Sequence, residues 1–150
     1  MELILWRHAE AEDTAPDTAR VLTAKGHKQA EKMAAWLKPH LPSKTRILVS
    51  PSQRTQQTAA ALGLNFSTLE ALAPGASVQE MIQAAGWPKA DGAVLIVGHQ
   101  PTLGIVAAYA MTGKSAYWSV KKGAIWWISS RARAGEEHTI LRAALSPDLV

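Results

Sequence analysis

The sequence predicts an α/β fold, a three-layer α/β/α sandwich with a mostly parallel central sheet and a C-terminal antiparallel hairpin. Two observations predict this fold. Over roughly the first 110 residues, short apolar runs alternate with helical patterns, as in strand–helix–strand units. After residue 123, two apolar runs follow each other with only a turn between them. A chain of 150 residues is expected to form one domain over residues 1–150.

The first strand and the first helix are the best-marked elements near the amino terminus. Residues 3–6, LILW, form a short apolar run that predicts a strand buried on both faces, and Arg7-His8 follows it directly. Residues 22–40 predict a helix, with Thr23 as its N-cap and apolar residues at i, i+3, i+4 and i+7.

A second strand and helix follow with a clear junction between them. Residues 46–49, RILV, predict another buried strand. Ser50 and Gln53 have the spacing of a capping box, and Pro51 would occupy the first helical position. Arg54 is therefore expected in the first turn of a helix that begins where a strand ends.

The remaining elements are shorter, apart from one strong strand. They are a weak strand over 65–69, a helix over 77–86, a strong strand over 93–97, a helix opened by Pro101, and strands over 124–129 and 138–145 joined by a turn at 133–136. Ser77 and Glu80 form a second capping-box pattern.

Composition narrows the classes of function. Cysteine is absent, which excludes disulfides and thiolate zinc sites. No apolar run reaches the ~20 residues of a membrane span, and the start MELILW lacks the features of a secretory signal. We therefore expect a soluble, cytoplasmic protein with no membrane partner. The net charge is +4, but the basic residues are scattered, so a nucleic-acid partner is not expected. An ordinary basic surface is the favoured interpretation, and attraction to a phosphorylated or acidic protein partner is the alternative.

Polar residues follow three of the predicted parallel strands. Arg7 and His8 follow the first, Arg54 the second and His99 the strong strand at 93–97. The carboxyl ends of parallel strands share one edge of a sheet, so these side chains are expected to meet. Guanidinium groups match phosphate oxygens, and a neutral imidazole can attack phosphorus. This pattern predicts a phosphoryl pocket with His8 as the nucleophile.

Four segments, LILWRHAEAED, LTAKGHKQA, SPSQRTQQT and LIVGHQP, occur in an order and spacing that resemble the histidine phosphatase superfamily. The length and the ending LSPDL are similar to the SixA-type phosphohistidine phosphatases. The resemblance covers nearly the whole chain. It implies the phosphoglycerate mutase-like form of the α/β fold.

The resemblance also implies roles for individual residues. His8 would attack phosphorus and become transiently phosphorylated. Arg7, Arg54 and His99 would bind the phosphoryl oxygens, and Arg20 would lie near the pocket as a further phosphate-binding residue. Water would then release phosphate, with no metal or organic cofactor.

Two departures from the family pattern bear on activity. Ala9 replaces the glycine that usually follows the histidine, and we expect tight packing or a backbone angle that alanine tolerates less well. The glutamate that serves larger members as general acid has no counterpart in a recognisable motif. Glu10, Glu12 and Asp17 are the remaining candidates for a proton donor. When the P–N bond of a phosphohistidine breaks, the leaving group is an imidazole, which needs a proton donor less than the alkoxide released from a phosphate ester. Phosphohistidine is therefore the favoured substrate.

The expected function is hydrolysis of phosphohistidine on a protein partner, a histidine-phosphotransfer domain or a phosphocarrier of a sugar-uptake system, with a phosphate ion bound in the pocket. One alternative is a phosphatase for small phosphate monoesters from the same superfamily. Another is a non-catalytic phosphate-binding module.

Overall fold

The computed structural model describes residues 1–150. The strands are β1 (Glu2–Arg7), β2 (Arg46–Val49), β3 (Ser67–Thr68), β4 (Ala93–Gly98), β5 (Ile125–Arg133) and β6 (Glu136–Leu145). The α-helices are α1 (Ala24–Leu37), α2 (Gln53–Ala60), α3 (Val78–Ala85) and α4 (Thr102–Thr112). This order confirms the predicted alternation of strands and helices followed by a hairpin.

All six strands form one mixed sheet in the order β3-β2-β4-β1-β5-β6. The pairs β1–β4, β2–β4 and β2–β3 are parallel, whereas β5 is antiparallel to both β1 and β6. Arg7 lies opposite Gly98, and Val49 lies opposite Val97. The carboxyl ends of β1, β2 and β4 are therefore level at one edge of the sheet, and the chain leaves all three at the same place.

Alternating side chains of β1 enter two separate apolar cores. Leu3 and Leu5 pack on the face covered by α3 and α4, and Ile4 and Trp6 pack on the face covered by α1 and α2. All four are fully buried, and each such burial contributes about 1.5–3 kcal/mol. Helices thus cover both faces of the sheet, which confirms the three layers. None of the four helices combines the length and apolar composition needed to cross a bilayer.

Two predicted helix starts are observed. The Thr23 hydroxyl caps α1 by accepting a hydrogen bond from the Gly26 amide at 2.9 Å. Ser77 and Glu80 form the expected capping box at the start of α3. These caps depend only on residues within one turn, so local sequence was sufficient to predict them.

The capping box predicted for Ser50 and Gln53 is wrong. Helix α2 begins at Gln53 with Ser52 at the N-cap position, and Pro51 lies outside the helix. The Ser50 hydroxyl instead hydrogen-bonds with Nε2 of His99 at 2.8 Å. Leaving a buried imidazole nitrogen without a hydrogen bond costs more free energy than leaving a helix amide uncapped, because water can bind the amide instead. The Ser50 hydroxyl therefore binds His99 and does not cap α2.

Three boundaries differ from those expected. The weak strand over 65–69 shrinks to Ser67–Thr68, at the edge of the sheet. Helix α1 ends at Leu37, and a single 3-10 turn covers Lys38–His40. The hairpin strands are longer than predicted, because a two-residue turn at Ala134 and Gly135, with φ of 50° and 80°, joins them.

Candidate active site

The carboxyl edge of the sheet brings the predicted residues Arg7, His8, Arg54 and His99 together, and the last three are buried. His8 follows β1, Arg54 lies in the first turn of α2, and His99 follows β4. Their exposed fractions are 7%, 4% and 5%. The rings of His8 and His99 lie 5.3 Å apart, tilted by 53°. Residues 91 positions apart are therefore neighbours, because their strands are adjacent and parallel in the sheet.

The His8 ring has one nitrogen engaged and one free. Its Nδ1 lies 2.7 Å from the carbonyl oxygen of Ala9, so Nδ1–H donates and Nε2 carries the lone pair. Burial lowers the pKa of His8 from 6.5 to about 4, and the charges of Arg54 and Arg7 act in the same direction. His8 is therefore neutral at pH 7, in the tautomer that presents an unprotonated Nε2.

His99 is held from the opposite side of its ring. Its Nε2 lies 2.8 Å from the Ser50 hydroxyl and 3.4 Å from that of Ser52. Its Nδ1 is buried and has no protein partner. Burial lowers the pKa of His99 to about 3, and the electrostatic effect of His8 adds to this. When Nε2 accepts from the Ser50 hydroxyl, Nδ1 carries the proton and is an available donor.

Each of the two arginines also has one buried donor without a partner. Arg54 donates from Nη1 to the Asp17 carbonyl at 2.8 Å and from Nη2 to the Asp17 carboxylate at 3.1 Å. Arg7 donates from Nη1 to the Val120 carbonyl at 2.9 Å. The Nε atoms of both are buried and unpaired. Burial lowers the pKa of Arg7, and the charge of Arg54 adds to this.

The protein contains three buried side-chain polar atoms without a hydrogen-bond partner, and all three are nitrogens of Arg7, Arg54 and His99. A buried donor without a partner costs about 1–3 kcal/mol, so such groups rarely persist without a purpose. These three donors and the lone pair on Nε2 of His8 are the types of group that binding and attack of a phosphoryl group require. The arrangement is suited to phosphoryl transfer through a covalent histidine intermediate.

Comparison with known proteins agrees with this geometry. Residues 3–74 match the family described as the histidine phosphatase superfamily (branch 1). Over 124 residues the chain is 39% identical to a phosphohistidine phosphatase SixA homolog of Haemophilus influenzae, covering 72% of this chain and 76% of that protein. The chain belongs to the histidine phosphatase superfamily. These two similarities support phosphatase activity for this chain.

Two further relatives connect the chain to SixA proteins. Phosphohistidine phosphatase SixA of Escherichia coli is 30% identical over 125 residues, which cover 77% of each chain. A solved structure of the protein histidine phosphatase SixA complexed with tungstate superposes with a TM-score of 0.78 at 26% identity, covering 99% of this chain and 98% of that one. This member of the superfamily thus has the SixA-like fold over its whole length.

Arg20 and the acidic loop lie at the mouth of the pocket. Arg20 donates from Nε to the Glu12 carbonyl at 2.7 Å and from Nη1 to the Asp17 carboxylate at 3.3 Å. Arg54 binds the same carboxylate, which places Arg20 beside the site, and the charge of Arg20 contributes to lowering the pKa of His8. Desolvation raises the pKa of Asp17, but hydrogen bonds from Arg54 and Arg20 outweigh it and lower the pKa overall. Asp17 is therefore ionised and is poorly suited to donate a proton.

The other two candidate proton donors differ in their surroundings. The Glu10 carboxylate accepts a hydrogen bond from the Thr23 hydroxyl at 2.8 Å. Glu12 is exposed, and its backbone carbonyl is its contact to Arg20. None of these three candidates, Glu10, Glu12 and Asp17, presents a free, buried carboxyl to His8. The structure also contains no cluster of three or more histidine, cysteine, aspartate or glutamate side chains arranged to hold a metal ion.

Ala9, which departs from the superfamily pattern, is accommodated without strain. Its φ does not lie in the left-handed region, so of the two expected causes, tight packing and a backbone angle, only tight packing applies. Ala9 is fully buried against Leu22 and Ala30, and its amide donates to the Thr58 hydroxyl at 3.1 Å. The position requires a small side chain, and the methyl group of alanine fits it.

Sequence reasoning missed several residues that hold the loops of the site. The Gln29 side chain accepts from the Glu10 amide at 2.9 Å, and the Gln57 side chain accepts from the Leu22 amide at 2.7 Å. Both glutamines lie within segments that carry the family resemblance. Gly26 of α1 lies against the Glu10 backbone, where an added Cβ would be 1.9 Å from the carbonyl oxygen. Polar residues and a glycine on the inner faces of α1 and α2 were the available signal.

Proposed function

We propose that this protein is a phosphatase that hydrolyses phosphohistidine on a protein partner through a phosphohistidine formed on His8. The observation that carries the proposal is the His8 ring. Its Nδ1–H donates to the Ala9 carbonyl, its Nε2 is unprotonated, and Arg7, Arg54 and His99 at the same edge of the sheet each have one buried, unpaired donor. These features support a nucleophile beside a preorganised oxyanion site.

In the first step, the Nε2 lone pair of His8 attacks phosphorus. The P–N bond of the substrate breaks, and its electron pair returns to the substrate imidazole, which leaves neutral when its other nitrogen is protonated. Arg7 and Arg54 donate from Nε, and His99 donates from Nδ1, to the equatorial oxygens. These donors stabilise the charge of the transition state, which is the main catalytic contribution available in phosphoryl transfer.

In the second step, water attacks the phosphorus atom held on His8. The P–Nε2 bond breaks, the electron pair returns to Nε2, and inorganic phosphate leaves. Because Nδ1 keeps its proton, the ring departs as a neutral imidazole, and its low pKa, about 4, makes it a good leaving group. The proposed cycle uses no metal or organic cofactor, so activity should persist in EDTA.

Two features support phosphohistidine rather than an ester as substrate. Departure of an alkoxide requires a positioned acid, but the carboxylates of Asp17 and Glu10 are bound to Arg54, Arg20 and Thr23, and Glu12 is exposed. The relatives from H. influenzae and E. coli carry the description phosphohistidine phosphatase, and the related SixA structure holds tungstate, a tetrahedral oxyanion like phosphate. The partner we propose is a cytoplasmic phosphotransfer domain or phosphocarrier.

The test is turnover of a purified histidine-phosphotransfer domain that carries ³²P on its histidine. The wild type should release inorganic phosphate and, on rapid quenching, show an acid-labile, alkali-stable label on His8. His8→Ala should abolish both, whereas His27→Ala, an exposed histidine on α1, should retain both. Near wild-type turnover by His8→Ala would refute the proposal. Faster turnover of p-nitrophenyl phosphate than of phosphohistidine would favour the small-ester alternative.

A further inference from the structure

A strongly basic groove of about 580 Å³ opens beside the phosphate pocket. Six of its lining side chains are positively charged: Arg7, Lys25, Lys28, Lys32, Lys121 and Lys122. We call this surface the lysine groove. Its acidic side chains are Glu10 and Asp148, so its excess of positive charge equals the net charge of the whole chain, +4.

The lysine groove is continuous with the proposed active site. One wall is α1, where Lys25, Lys28 and Lys32 have the i, i+3, i+7 spacing of one helical face and span about 10 Å. The other wall begins at Val120, whose carbonyl accepts from Arg7, and continues into the two following lysines. The same arginine therefore borders both the phosphate pocket and the groove.

Most of the positive charge of the groove is not neutralised within the protein. None of its five lysines forms an ion pair, and all five are exposed. The pKa of Asp148 is lowered mainly by a hydrogen bond from Ser146, and the charges of Lys121 and Lys32 contribute a smaller part. A cleft lined by one sign of charge attracts the opposite sign from solution and raises association rates.

We propose that the lysine groove docks an acidic face of the phosphohistidine-bearing protein. This face would be formed by partner residues next to the phosphorylated histidine. The inference rests on the proposed function and adds the chemistry of its partner. The lining has no hydrophobic side chain, which argues against an apolar segment. It also lacks the aromatic platforms on which bases of single-stranded nucleic acid stack, which favours a protein.

The test compares two phosphohistidine peptides of equal length, one flanked by aspartate and glutamate and the other by serine and asparagine. The wild type should show a kcat/KM about tenfold higher for the acidic peptide at 10 mM salt, and the ratio should fall toward one at 0.5 M salt. The double variant Lys28→Glu, Lys32→Glu should lose this preference or reverse it. The ratio of the two peptides is the readout because general damage to the enzyme lowers both rates alike.

The matched control reverses two exposed lysines outside the groove, Lys38→Glu with Lys114→Glu, and carries the same change in net charge. It should retain the wild-type ratio. An equal effect of both double variants would show a general effect of net charge and overturn the proposal. So would a wild type that does not distinguish the two peptides.

Binding separates failure of the groove from failure of the proposed reaction. Fluorescence anisotropy measures the affinity of the unphosphorylated acidic and neutral peptides, with a single-stranded oligonucleotide of equal charge as competitor. If neither phosphopeptide is hydrolysed but the acidic peptide binds the wild type and not the groove variant, the groove stands and the proposed function fails. Tighter binding of the oligonucleotide than of the acidic peptide would overturn the groove proposal.

Discussion

The hydroxyl of Ser50 lies 2.8 Å from Nε2 of His99, at the ends of two neighbouring parallel strands. Ser50 is fully buried, and His99 is 5% exposed. When the hydroxyl donates to Nε2, the proton of His99 resides on Nδ1, the atom that has no protein partner. In that arrangement Ser50 selects the tautomer in which His99 can donate to a phosphoryl oxygen.

Ser50→Ala should lower kcat about tenfold, because a buried Nε2 left without its partner costs about 1–3 kcal/mol and releases the ring from a single tautomer. KM should change less than kcat. Nitrogen NMR of His99 should show a rise in the Nε2–H tautomer, which loss of packing alone would not produce. Ser52→Ala is the comparison: its hydroxyl lies at 3.4 Å, and its loss should have a smaller effect on kcat. An unchanged tautomer with unchanged kcat would contradict the positioning role.

Gly26→Ala should destabilise the protein by about 1–3 kcal/mol and reduce kcat. Helix propensity alone predicts the opposite sign, since alanine is favoured over glycine by roughly 1 kcal/mol inside a helix. The steric clash outweighs this gain in helix propensity, because the new Cβ would be 1.9 Å from the carbonyl oxygen of Glu10, two residues after His8. Urea unfolding measures the stability. His27→Ala, at the next and exposed position, should be neutral or stabilising.

Arg54→Lys should lower kcat/KM about 100-fold or more although the charge is retained. The guanidinium uses two nitrogens to hold Asp17 and leaves Nε for the phosphoryl group, and an ammonium cannot reproduce this fork. Arg20→Lys should cost only a few-fold, because Arg20 is partly exposed and its bonds are to the loop. Steady-state kinetics and inhibition by phosphate measure both. Equal losses would show that Arg20 shares the clamp.

Stability should fall as the pH is lowered from 7 to 5. The pKa of His8 is about 4 in the folded protein and 6.5 when unfolded, so the unfolded chain binds the extra proton in this window. The contribution of neutral His8 to the free energy of unfolding is fully present above pH 6.5 and is lost as the pH falls toward 4. At pH 5 it has decreased by about 2 kcal/mol, and His99 adds a loss in the same direction.

Urea unfolding of the wild type and of His8→Gln at both pH values tests this dependence. Glutamine does not titrate, so the variant should show a smaller difference in unfolding free energy between pH 7 and pH 5. The difference between pH values is the readout, whatever the variant does to stability at pH 7. An identical pH dependence in both proteins would mean that His8 is not held neutral in the fold.

Sequence alone predicted the elements whose signals are local and strong. The apolar runs that became β1 and β4 and the caps of α1 and α3 needed no knowledge of tertiary contacts. The positions of Arg7, His8, Arg54 and His99 at strand ends were sufficient to predict their convergence on one edge. Strand ends are readable because polar residues stop an apolar run abruptly.

Features that depend on packing could not be read in this way. Ser50 has the spacing of a cap, but its partner is 49 residues away, and nothing within one turn reveals it. The short strand β3 has only two residues paired with β2, too few for an alternating pattern to form. Gly26 required knowledge of which backbone approaches α1. Contacts between distant segments depend on how the helices pack against the sheet, and the local periodicity of the sequence does not predict them.

The central place of β1 in the sheet has a consequence for how the molecule opens. Strand β1 is hydrogen-bonded to β4 on one edge and to β5 on the other, whereas the end of the hairpin, from Arg131 to His138, is paired only with itself. Transient opening of that end leaves β1 intact. Amide hydrogens of Leu3 to Trp6 should therefore exchange with deuterium only on global unfolding, and the hairpin end much sooner. His8 is attached to the part of the protein that opens last.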